Sequence, residues 1–158
     1  MKLLVSACLL GVCCRYDGDS KAYPEIEKLA RCHTLVPVCP EQLGGLPTPR
    51  PPAERRGGRV VTQSGDVTEQ YLRGAEETLK LCKRLGCEAA VLKERSPSCG
   101  RGQVYDGTFS GTLTAGDGVT AELLAALWEG GCWYSATWRT SWMPCCRRCG
   151  RQGRGRIA

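Results

Sequence analysis

The sequence predicts an α/β fold: a compact, mainly parallel sheet flanked by helices, in Rossmann-like layering but without a dinucleotide motif. Three observations carry that prediction. Short runs of strand-forming residues alternate with segments of helical periodicity, in the order strand, helix, strand, helix, strand, helix, strand. At 158 residues, 42% of them hydrophobic, the chain can bury one core without disulfide staples. No GxGxxG or Walker pattern opens a helix, and the glycines of GRGQVYDG at 100–107 have the wrong spacing for a nucleotide fingerprint.

KLLVSAC, 2–8, is the first strand, and LLGVCCRYDGDSK a loop after it. Pro24 suits the first turn of a short helix running to Arg31, where its missing N–H costs little. TLVPVCP, 34–40, is the second strand, and Pro37 within it places it near a sheet edge. Residues 41–66 are dense in Pro and Gly, with Val60-Val61 as their one apolar pair, and are expected to form a lid or substrate-binding loop. Asp66 or Thr68 caps the next helix, through about Gly86. Its buried face is Tyr71, Ala75, Leu79 and Cys82, widened by Leu72 and Leu85. EAAVLK, 88–93, is the third strand; it runs through ERSPSCG into a small hairpin over 103–118. Thr120 opens a helix with Leu123, Leu124, Leu127 and Trp128 on its apolar face, and GCWYSA, 131–136, is the last strand.

Charge divides the chain into a 1–144 domain and a 145–158 tail. The net +6 is concentrated in CCRRCGRQGRGRIA, which has five Arg and no acid, whereas residues 1–144 hold 17 basic and 16 acidic side chains. The tail is expected to be flexible and to offer at most weak, salt-dependent nucleic-acid contact. No run approaches the ~18 apolar residues of a membrane span. The first fourteen residues lack a small-x-small cleavage pattern and suit a buried strand, so a cytoplasmic protein is expected. In a reducing compartment several of the twelve cysteines would be metal ligands or buried thiols.

Parallel α/β sheets bind ligands outside the carboxyl ends of their strands. Cys8 ends the first strand, Cys39 ends the second, and Cys99 follows the third by a short turn, so the three converge at one edge. Three soft thiolates suit an iron–sulfur cluster or zinc, and three protein ligands leave one coordination position open. A zinc site completed by His33 or another cysteine fits the same pattern, as do three buried thiols. Glu41, two residues after Cys39, is placed to activate water or shuttle a proton. Ser96 and Ser98 are placed to hold substrate or stabilise developing negative charge. Arg15 and Asp17 in the loop after Cys8, and Arg50 in the proline-rich segment, are candidate contacts to a polar or anionic ligand. Cys13 and Cys14 could compete for metal, but both would have to curl back from the Gly11 turn. Cys145, Cys146 and Cys149 form a single CCxxC, read as accessory.

VSACLLG at 5–11, CRYDG at 14–18, VCPEQLGGLPTPRPPAE at 38–54, GDVT at 65–68, and LKERSPSCG with VYDGTFSG at 92–111 resemble a bacterial family long labelled a domain of unknown function. Its characterised branch is 2-thiouracil desulfidase, and the resemblance covers roughly 1–136. It implies an oxygen-sensitive 4Fe-4S cluster held by Cys8, Cys39 and Cys99, with one open iron site that takes the sulfur of a small thiolated nucleobase. It also implies proton transfer or water activation by Glu41, and a role for a serine of SPSCG. The chain departs from the family pattern in its doubled Cys13-Cys14 and its Arg-rich CCxxC extension. Two other readings stand beside the enzyme: a zinc-binding nucleic-acid module and a nonenzymatic iron–sulfur redox sensor. The near-neutral domain and a basic region without aromatic residues favour the enzyme over the module.

Overall fold

A computed structural model describes residues 1–128 and the strand at 132–136; the tail and its three cysteines lie outside the described residues. The main sheet has four parallel strands in the order β2-β1-β6-β9: β1 Lys2–Ser6, β2 Thr34–Val38, β6 Ala89–Lys93 and β9 Cys132–Ala136. β1 and β6 are apolar almost throughout because both of their faces are covered. β2 lies at the edge, where Pro37, in register with Val5, has no outer strand to donate to.

One face of the sheet packs Leu3, Val5, Ala89 and Val91 against Ile26 of α1, Pro24–Lys28. The other packs Leu4, Ala90 and Leu92 against α3, Thr68–Leu85, and α4, Val119–Leu127. The N-cap of α3 is Val67, not the expected Asp66 or Thr68, and no side chain caps it; Asp66, one residue earlier, accepts the Thr68 N–H at 2.8 Å in the turn that leads in. Gly86, left-handed at φ 65°, ends it. The buried faces of both long helices are narrower than periodicity predicts, since Leu72, Leu85 and Leu127 are all exposed. Those positions sit at the margins of an apolar stripe that meets a sheet on one side only.

The segment read as a lid has structure of its own. It opens with a one-turn helix, α2 Pro40–Leu43, then forms a three-stranded antiparallel sheet of β3 Ala53–Arg56, β4 Arg59–Thr62 and β5 Gly65–Asp66. Val60, fully buried against Tyr71, Ala75 and Val119, anchors that sheet to α3. The expected hairpin is present as β7 Gln103–Tyr105 and β8 Leu113–Ala115. The Glu54 carboxylate accepts the N–H groups of Gly107 and Phe109, both at 2.9 Å, and so ties the hairpin loop to β3. The molecule is thus a mixed α/β fold of one parallel and two antiparallel sheets. With four parallel strands among the described residues and two appended antiparallel sheets, it has no evident dinucleotide-binding layering. No helix among the described residues is long and apolar enough to cross a membrane.

Candidate functional site

The chain leaves β1 toward β2 on one side, and β6 lies on the other. This reversal opens a crevice at the carboxyl ends of the strands. A cavity of about 540 Å³ fills it. Cys8, Cys39 and Cys99 all line that cavity, each from the loop after a different strand. Cys8 sits in the 3-10 turn Ala7–Leu10, Cys39 immediately precedes α2, and Cys99 lies in the turn after β6. Cys8 and Cys99 are buried, whereas Cys39 keeps some exposure.

Cys14 also lines this cavity, whereas its neighbour Cys13 faces solvent. The loop does curl back: the Lys21 and Tyr23 N–H groups donate to the carbonyls of Cys8 and Leu9 at 2.8 and 3.1 Å. The Cys39 thiol donates to the Cys14 carbonyl at 3.6 Å. Cys8 and Cys39 both act on the Cys14 thiol. Cys39 pulls the Cys14 thiol down, but Cys8 and burial outweigh it and push Cys14 up to about 11. Burial pushes Cys99 up to about 12, against hydrogen bonds from Ser6 and Ser98. Thiols so placed stay neutral until a cation compensates the thiolates.

Glu41, on α2, turns into the cavity beside Cys39. Its Oε2 accepts from Arg50 Nε at 2.6 Å and pairs with Nη2 at the same distance. The remaining Arg50 N–H groups go to the Pro47 carbonyl, the Thr48 hydroxyl and the Cys14 carbonyl, at 3.1, 3.0 and 2.9 Å. Four of the five guanidinium donors therefore hydrogen-bond the protein, and Nη2 also ion-pairs with Glu41. Arg50, expected to meet an anionic ligand, instead ties the Cys14 loop to Glu41. Tyr71 of α3 lines the same cavity, and burial first, then the Glu41 charge, pushes its phenol up.

The two serines of SPSCG separate. Ser96 lines the cavity, and its Oγ accepts the N–H groups of Ser98 and Cys99, each at 3.1 Å. Its own O–H stays available for the cavity. Ser98 is 1% exposed, and its hydroxyl pairs with Thr120 at 2.8 Å, which fastens the turn to the start of α4. Arg15 lies at the cavity wall, pairs with Asp17 at 2.7 Å and donates to the Ser20 carbonyl at 3.3 Å. Asp17 is not part of the cavity lining. Lys93 ends β6 inside the cavity, and burial pulls its ammonium down.

Sequence reasoning weighed Cys14 only as a competitor for metal, read Tyr71 as core, and gave Lys93 and Ser6 no place in the site. Ser6 carried a readable signal, a hydroxyl ending an otherwise apolar central strand; it accepts the Lys93 N–H at 2.9 Å. Tyr71 gave none, since a tyrosine on a buried helix face is ordinary core.

Among the described residues no three His, Cys, Asp or Glu side chains converge closely enough to hold a single metal ion. His33 precedes β2 while Cys39 follows it, so the length of that strand, ~16 Å at ~3.3 Å per residue, separates them. Both facts weigh against the zinc site. A polynuclear cluster binds each thiolate to a separate iron and needs no such convergence. Three cysteines spread around a cavity of this size fit that requirement.

A family model described as 2-thiouracil desulfurase matches residues 3–128. The Bacillus subtilis (strain 168) protein YbbK, described as uncharacterized, is 50% identical over 133 residues, 77% of this chain and 88% of its own length. A solved structure of TudS, a 4Fe-4S-dependent thiouracil desulfidase, superposes with a TM-score of 0.78 at 50% identity. That match covers 85% of this chain and 89% of TudS.

Proposed function

The chain belongs to the 2-thiouracil desulfurase family, and from that premise we propose that it removes sulfur from a thiolated pyrimidine such as 2-thiouracil. It is an iron–sulfur-dependent enzyme, and the overall change is C=S plus water to C=O plus hydrogen sulfide. No electron is gained or lost in that sum. The observation that carries the reading is the meeting of Cys8, Cys39, Cys99, Glu41 and Ser96 in one cavity at the strand ends.

Cys8, Cys39 and Cys99 hold a 4Fe-4S cluster, which supplies a Lewis-acidic iron for the substrate's sulfur. Glu41 takes the proton of the water whose oxygen replaces sulfur, and returns a proton to the departing sulfur. Arg50 fixes the carboxylate for that work. Oε2, 2.6 Å from both Nε and Nη2 of Arg50, is held in place by the guanidinium. Ser96 donates its free O–H to charge developing on the pyrimidine, from a turn locked by its two backbone acceptances. Ser98 shapes that turn from beneath. Arg15, oriented by Asp17, meets the polar edge of the base at the cavity wall.

Anaerobic reconstitution followed by incubation with 2-thiouracil tests this. Expected are about four iron per chain and equal yields of uracil and sulfide. Glu41→Gln should retain iron and lose ~10²–10⁴ in turnover. A protein that takes up no iron, or a Glu41→Gln variant with wild-type turnover, would remove the cluster or the acid–base role respectively.

A further inference from the structure

Of the four cysteines in the cavity, Cys39 alone is not buried, so an oxidant entering from solvent meets it first. Cys14 is 2% exposed and sits directly behind it. The Cys39 thiol donates to the Cys14 carbonyl at 3.6 Å. That carbonyl is in turn pinned by Arg50 at 2.9 Å, which holds the Cys14 backbone against the site. The arrangement is one accessible sulfur bonded to the backbone of a buried cysteine that lines the same cavity. Nothing in the desulfidation scheme uses the second one.

We propose that Cys14 is the resolving thiol of the cluster-free site, closing a reversible Cys14–Cys39 disulfide when peroxide oxidises Cys39. In the first step the Cys39 sulfur gives two electrons to the peroxide O–O bond; that bond breaks, a sulfenic acid forms, and water leaves. In the second, the Cys14 sulfur attacks the Cys39 sulfur. The S–S bond forms, the S–O bond breaks, and the hydroxyl departs as water with the Cys14 proton. The disulfide halts Cys39 below the irreversible sulfinic and sulfonic acids and can be reduced by a dithiol. A chain that has lost its cluster can thereby recover an intact ligand. The proposal rests on the reading of Cys39 as a ligand for this consequence alone; the linkage itself is independent of desulfidase activity.

The test uses the full-length chain, stripped of iron anaerobically, exposed to a several-fold excess of hydrogen peroxide, thiol-blocked and digested. Tandem mass spectrometry should find Cys14 joined to Cys39, two hydrogens lighter than the separate peptides, and a dithiol should undo the link. In Cys14→Ala, Cys39 should instead gain two or three oxygens, and dithiol treatment should no longer restore iron uptake. Cys13→Ala, altered at the exposed neighbour, should behave as wild type. Cys39 joined to Cys8, Cys13 or Cys99, or equal over-oxidation in wild type and Cys14→Ala, overturns the proposal. The wild-type map decides the linkage even if the Cys14→Ala chain folds poorly.

Discussion

Gly74→Ala should cripple the site without touching it. A Cβ built at Gly74 of α3 lands on the Pro40 carbonyl oxygen, 2.8 Å from the Pro40 carbon and 3.2 Å from the Gly44 nitrogen. A Cβ at Gly44 lands likewise on the Gln70 carbonyl oxygen, so α2 and α3 cross with backbone against backbone. The crossing presses Glu41 and Cys39, at the start of α2, toward Tyr71 on α3. Two opposed terms set the magnitude. In an open helix Gly→Ala would stabilise by about 1 kcal/mol through chain entropy and propensity. Here the added carbon meets main-chain atoms that no rotamer can clear, so the overpacking cost of ~1–3 kcal/mol falls at its upper end or beyond. The net expectation is a loss of ~2 kcal/mol or more, which lowers Tm by at least ~4–8 °C for a chain of this size. Relief requires α2 to move off α3, and the Glu41–Tyr71 contact goes with it. Thermal and denaturant unfolding give the stability, and iron retention with 2-thiouracil turnover gives the site. A variant about 1 kcal/mol more stable than wild type with unchanged turnover would refute the reasoning, since that is how an uncrowded helical glycine behaves.

Arg50→Ala leaves the 13%-exposed Glu41 carboxylate unpaired and should destabilise by ~3–5 kcal/mol, read from denaturant midpoints. Arg50→Lys keeps the charge but loses the fork, and should lower kcat more than it raises KM if the arginine aligns Glu41 and does not bind substrate. Ser96→Ala should lose turnover at bound iron, whereas Ser98→Ala should cost ~1 kcal/mol of stability through its lost bond to Thr120, with turnover largely kept. Cys8→Ala, Cys39→Ala and Cys99→Ala should each lose iron on anaerobic reconstitution. Cys145→Ala, Cys146→Ala and Cys149→Ala, and deletion of 145–158, should keep a competent cluster, as iron content and absorbance report.

The strands were legible because they depend on local pattern, although β1 and β2 stop at Ser6 and Val38, so Cys8 and Cys39 follow the strands instead of ending them. β1 and β6 are apolar runs with β-branched and leucine residues, Pro37 marks an edge, and Asp66 with Gly86 brackets α3; these signals act over a few residues of chain. Once the strands are known, the rule that ligands bind at their carboxyl ends brings Cys8, Cys39 and Cys99 together. The segment 41–66 resisted the same treatment. Its sheet is built from arginines, glutamate and a valine pair, and Val60 earns burial only when α3 arrives to cover it. Cys13 and Cys14 are equal in sequence, yet one faces solvent and the other the cavity. That choice is made by the carbonyls of Cys8, Leu9 and Cys14, which bond to residues 21, 23 and 50. Arg50 reads as an open cation until its bonds to Glu41 and the Cys14 carbonyl are seen, and Tyr71 reads as core until α2 brings Glu41 to the same cavity. Sequence determined the residue types and the strands that carry them, because propensity and hydrophobic period are short-range. Tertiary structure alone decided which polar groups were spent on one another and which were left facing the cavity, because hydrogen bonds and burial join residues the chain keeps far apart.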